Sequence, residues 1–228
     1  MPVLSDIAVS VAPEEIQRAL SRGKRDRGWF RGKIAGAIEE AIPLLRTRVA
    51  FEWADVVSVK KETVQIRFDN GPETRLEIGP NVHLLHAARR ALAFVSTVGH
   101  LLEQSIQAKN ESGDLLGGHL LDCVGVVALS KVSESANAMA ESAAKRRSWG
   151  VGPRLGPGAL AGWDTVRQRE LCDFLPLARA GLALAESGLL RPFKSASGLI
   201  PIGPDYPETA VGSVCDLCRL SGACWRRR

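Results

Sequence analysis

The chain has 228 residues, 45% hydrophobic and 24% charged, which is ordinary for a globular protein and enough for one substantial domain or two small ones. Formal net charge is +5, with basic clusters at 22–27, 145–147 and 226–228, yet aromatics make up only 5%, which supplies a base-stacking platform poorly and argues against nucleic acid as partner. No apolar run approaches the length of a bilayer span, and residues 1–7 lack the basic start and apolar core of a signal peptide, so a soluble, cytoplasmic protein without a membrane partner is expected.

Pro13 opens a short predicted helix over 13–20, with Gly23 beyond its end. A second helix is predicted over about 29–45, where Ile34, Ile38, Ala41, Leu44 and Leu45 keep a helical spacing and Pro43 bends or ends it. Strands follow at 56–59 and 63–68. In the latter, Val64, Ile66 and Phe68 alternate with Thr63, Gln65 and Arg67. Asn70-Gly71 signals a turn, and 75–78 returns as a third strand. Beyond Pro80, the spacing of Ala91, Val95, Val98, Leu102 and Ile106 predicts a long helix to about 108. After a polar break at 110–113, another helix is predicted over 115–145, striped by Leu121, Val124, Ala128, Val132, Ala136 and Met139.

Residues 150–162 hold five glycines and two prolines. That composition is too structured for a flexible linker and too long for a simple turn, and such loops carry function. Asp164 is placed to cap a helix that ends before Pro176. Short strands are expected at 181–185, buried, and at 195–200. The fold class is α+β, a twisted antiparallel sheet flanked by long helices. An N-terminal helical segment (1–48) precedes the α+β core (49–212), and a Cys-rich basic tail (213–228) follows it.

Within the glycine loop, Arg154 offers a planar fork of donors that suits a carboxylate, and Gly156 and Gly158 leave main-chain amides approachable. The chemistry is that of a pocket for a small zwitterion or anion; the plain alternative is a tight turn with an exposed arginine. Cys215, Cys218 and Cys224 crowd the tail. Thiolates two residues apart can share one zinc ion or iron–sulfur cluster, with Cys172, Cys123, a histidine or a partner supplying a fourth ligand. The alternative is three free thiols. His83 and His86 stand three apart with no carboxylate or cysteine near them in sequence, and read as structural.

Several of these motifs fall in one order. Arg154-Leu-Gly-Pro157-Gly158 resembles the Arg-x-x-Pro-Gly segment of the activation domain of cobalamin-dependent methionine synthase. Leu184-Ala185-Glu186-Ser187 stands where that family has an apolar strand ending in Thr-Glu-Ser, and Pro192 with Ser195-Ala196-Ser197-Gly198 stands where it has Pro and Ser-x-Ser-Gly. Leu44-Leu45-Arg46-Thr47-Arg48, Thr97-Val98-Gly99 with Leu102-Glu103, Leu120-Leu121-Asp122-Cys123-Val124-Gly125 and the cysteine-rich tail are similar to stand-alone, anaerobe-type relatives. The resemblance runs from about residue 40 onward.

What it implies is binding of S-adenosylmethionine, in support of the reductive methylation of inactive cob(II)alamin. No Asp-x-His-x-x-Gly motif occurs, so the corrinoid would sit on a partner, a separate corrinoid-binding protein or methyltransferase. By the same resemblance Arg154 holds the ligand carboxylate and the main chain at Gly156 and Gly158 meets the ligand. Glu134 is the acidic candidate facing its ammonium, and Glu186 and Tyr206 complete the set. Ala159 replaces the family's usual Tyr, and Ala185 its Thr. The alternative is a non-catalytic metal- or iron–sulfur-bearing adaptor that keeps the fold without the ligand.

Overall fold

The computed structural model describes residues 2–21, 31–218 and 224. The basic clusters at 22–27 and 226–228, and the first residues of the helix predicted over 29–45, lie outside them.

The frame is a seven-stranded sheet. Its longest strand is β2 (Arg48–Lys60), of which the predicted 56–59 strand is only the end; β1 (Val3–Ser5) pairs with its beginning. The strands β3 (Thr63–Phe68) and β4 (Glu73–Glu77) follow as antiparallel hairpins. On the other side of β2 lie β5 (Arg90–Thr97), β9 (Ser195–Gly203) and the edge strand β6 (Gly150–Val151), giving the order β4-β3-β2-β5-β9-β6 with every pairing antiparallel.

The helix expected from Pro80 to about 108 is not formed. Residues Pro80–Leu85 make a 3-10 turn, β5 occupies Arg90–Thr97, and only the end is helical, as α3 (Leu101–Glu111). The cause is burial. β5 lies between β2 and β9 with both faces covered, so Ala91 to Thr97 are all buried and show no alternation. A continuous apolar run satisfies a helical spacing by accident.

Four helices cover one face. They are α1 (Pro13–Ser21), α2 (Arg31–Ala41), which passes into a 3-10 turn at Ile42–Leu44 around Pro43, α3, and α4 (Leu115–Lys145). Asp114 caps α4 by accepting the Gly117 amide at 2.9 Å. Among the described residues α4 is the one helix long and apolar enough to cross a bilayer, but half of its most apolar stretch is buried. Its Val124, Ala128, Val132 and Ala136 pack with Val49, Leu92, Phe94, Ile200 and Ile202 of the sheet, and with Ile16 and Ile34 of α1 and α2. The N-terminal segment therefore shares the core of the rest.

The opposite face carries a second core. Ala50, Ala54, Ala91, Ala93, Val95 and Leu199 meet Leu155, Leu160 and Trp163 from the glycine loop and Leu171 and Cys172 from the short helix α5 (Gln168–Cys172). The segment predicted as a buried strand at 181–185 buries only Leu182 in this core, with Leu184 packed partly against it. Its ordered part is the two-residue β7 (Ala183–Leu184), which pairs with β8 (Leu190–Arg191) in a surface hairpin.

Candidate functional site

The glycine loop is built into the second face by its own backbone. Leu155 exchanges two 2.9 Å hydrogen bonds with Leu199 of β9. At Gly158 the chain turns with φ +77°, and a Cβ there would fall 2.4 Å from the Thr165 hydroxyl oxygen. The Gly158 amide, read from sequence as open, donates instead to the Trp163 carbonyl at 2.7 Å. The Gly156 carbonyl accepts from Ala159 and Leu160.

Three sequence motifs meet around a residue that sequence reading did not single out. Gln168 is buried; its Nε2 donates to the Gly188 carbonyl at 2.7 Å, and its Oε1 accepts from the Ser197 hydroxyl at 2.6 Å. It thus ties the hairpin bearing Glu186 to the Ser195–Gly203 strand, beside the Gly156–Gly158 turn. Glu186 itself is exposed in the hairpin turn, and Glu134 is exposed on α4, so neither enters this network.

The segment after β9 runs along the glycine loop as a strap. Amides of Val151, Arg154 and Ala161 donate to the carbonyls of Glu208, Gly212 and Leu217 at 2.8, 3.3 and 3.0 Å. A bridge joins Leu160 to Cys218. On the helical side, the Val211 amide donates to Glu141 Oε1 of α4 at 2.8 Å.

Strap and helix leave a cleft of about 840 Å³ between them, at the β6 edge of the sheet. That size is in the range of small-molecule sites. Glu141, Ser142 and Lys145 from the last turns of α4 and Trp149 beyond it form one wall; Tyr206 and Thr209 of the strap form the other. Spacings of three and four place Glu141, Ser142 and Lys145 along one side of the helix. Tyr206 is fixed: its hydroxyl donates to the Leu84 carbonyl at 2.6 Å, and burial pushes its ionisation well above the ordinary phenol range. Gly150 and Gly152 admit it, since a Cβ at either would lie 1.9 Å from the Tyr206 carbonyl oxygen or 2.7 Å from its ring.

Of the residues expected to bind a ligand, only Tyr206 lines this cleft. Arg154 is half-buried outside the cleft lining, with Nη1 shielded from solvent. Glu141, Lys145 and Trp149 line the cleft and were not singled out from sequence, although an acid and a base four apart at a helix end, followed by a tryptophan, are a readable pattern.

In the tail, Cys215 begins a 3-10 turn, Cys215–Leu217, and the Cys218 amide reaches back to the Cys215 carbonyl at 3.4 Å. Among the described residues no group of three or more His, Cys, Asp or Glu side chains is placed to hold a metal ion. The backbone of Cys218 bridges Leu160, and the suggested fourth ligands Cys123 and Cys172 are buried, their thiols pushed up by burial to about 11 and about 12. His83 Nδ1 lies 3.1 Å from the Pro80 carbonyl within its own turn.

No family model matches the chain, and no curated protein does. Among solved structures it is similar to the MetH reactivation domain bound to AdoHcy, with a TM-score of 0.53 and 17% identity over 95% of this chain and 83% of that one. That likeness establishes a shared fold, and its extent takes in much of the N-terminal segment as well as the core.

Proposed function

We propose that this chain holds an S-adenosyl ligand in the cleft at the β6 edge and presents it to a corrinoid carried by a separate protein, as a reactivation partner. The observation that carries the reading is the cleft itself, about 840 Å³ with a carboxylate, an ammonium and two aromatic rings around it, in a fold shared with a domain solved with AdoHcy. A zwitterionic methionyl end needs one group of each sign, and Lys145 and Glu141 stand a helical turn apart. The Trp149 and Tyr206 rings suit a purine face, and Ser142 and Thr209 suit ribose hydroxyls. The ligand would supply the methyl group; the chain's own residues bind it and orient it.

Calorimetry with AdoHcy, which binds without reacting, tests the ligand half. Hydrogen bonds to charged groups contribute about 1.5–3 kcal/mol, so Lys145→Ala should weaken binding on the order of tenfold or more. Arg154→Ala should change it by less than about twofold, because a residue outside the cleft forms no charged hydrogen bond to the ligand. The reverse pattern moves the carboxylate to Arg154, as the sequence motif suggests. No heat from the parent at millimolar AdoHcy overturns the ligand reading and leaves the adaptor reading. The partner half is read by absorbance. A cob(II)alamin protein given S-adenosylmethionine and an electron donor should convert to the methyl form faster with this chain than without it; equal rates count against it.

A further inference from the structure

We infer that Cys215 and Cys218 form a redox-responsive thiol pair at the clamp between the C-terminal strap and the glycine loop. The inference does not depend on what the cleft binds. The two cysteines are the first and fourth residues of one turn, closed by the Cys218 amide on the Cys215 carbonyl at 3.4 Å. Such a turn brings its end Cα atoms within about 7 Å, and a disulfide asks for about 4.4–6.8 Å. Both side chains are half-buried, so a small reagent reaches them.

Two further observations single out this pair. The Ser213 hydroxyl donates to Cys215 Sγ at 2.8 Å and accepts the Cys215 amide at 3.2 Å, which aims a donor at the sulfur. Cys123 and Cys172 are the opposite case, buried in the two cores with their thiols pushed up to about 11 and about 12, and they stay protonated and out of reach.

The oxidant is a low-molecular-weight disulfide. Cys215 thiolate attacks one of its sulfurs, forming a mixed disulfide and releasing one small thiolate. Cys218 thiolate then attacks Cys215 Sγ, closing the protein disulfide and releasing the second. Two protein thiols are oxidised by two electrons, the small disulfide is reduced to two thiols, and the two protons pass to those leaving thiolates. The bond would form beside Leu217, whose carbonyl holds the Ala161 amide, and at Cys218, which bridges Leu160.

The test treats the full chain with glutathione disulfide, traps remaining thiols with a maleimide and maps the peptides by mass. The expected result is a Cys215–Cys218 disulfide reversed by dithiothreitol, with Cys123 and Cys172 labelled only after denaturation. The Cys218→Ser variant should stop at the mixed disulfide on Cys215, and an unchanged circular dichroism melt would show it is folded. Pairing of Cys215 with Cys224, stoichiometric zinc or iron protecting the thiols in the same sample, or a Cys218→Ser variant that loses its glutathione no differently from the parent would each overturn it.

Discussion

Gly150 and Gly36 show how differently one residue type can be used. Gly150 lies at the floor of the cleft, where a Cβ would overlap the Tyr206 carbonyl oxygen at 1.9 Å. Gly150→Ala should destabilise the protein by about 1–3 kcal/mol in urea unfolding, since backbone must move to admit the methyl. Gly36 is exposed inside α2, with nothing within 4 Å of its Cβ position. Gly36→Ala should stabilise by about 0.5–1 kcal/mol, because alanine has less backbone freedom to lose. No sequence pattern separates these two, because the atom that decides the matter at Gly150 comes from Tyr206, fifty-six positions on. Gln168 was illegible for the same reason: its partners lie 20 and 29 residues away. The Arg154–Gly158 motif was visible as a constrained turn, but spacing could not say that the Gly158 amide is spent on Trp163.

At the scale of elements, legibility followed exposure. α4 was readable over its full 115–145 span because one side of it is buried and the other is wet, and β3 was readable because Val64, Ile66 and Phe68 are buried while Gln65 and Arg67 are not. β5 was not, because both of its faces are covered. The docking of α1 on α4 carries its own prediction. Glu15 Oε2 meets Lys131 Nζ at 2.8 Å, and Lys131 also donates to the Ser10 carbonyl at 2.6 Å. Burial raises the Glu15 carboxyl, but the Lys131 bond and the Ala12 amide outweigh it and hold it below the usual carboxylate value. A depressed value in the folded state means stability that is present above the unfolded carboxyl range and is lost as pH falls through the lower folded value. The melting difference between the parent and Glu15→Gln should therefore favour the parent at neutral pH and shrink on acidification. A difference that holds constant down to acid would show that the ion pair contributes nothing.

The whole molecule is two cores sharing one sheet, and β9 stitches them together. Leu199 enters the face that carries the glycine loop, while Ile200 and Ile202 enter the helical face. Its partner β5 lies about a hundred positions earlier in the chain, in the register Arg90↔Ile202 to Thr97↔Ser195. During synthesis, then, β1 to β5 can pair from earlier sequence, but β9, and β6 which pairs only with it, join the sheet only after β9 leaves the ribosome. Through that interval β5 offers an open edge with an apolar stretch from Ala91 to Val95, the kind of surface that recruits strands from other chains. A chain ended at residue 194 should accordingly be captured by aggregates or chaperones, whereas one ended at 206 should remain dispersed; equal solubility of the two, read by sedimentation, would remove the argument. Emergence order thus makes the late arrival of β9 a vulnerability in time, one to which a protein of the same shape with β9 encoded earlier would not be subject.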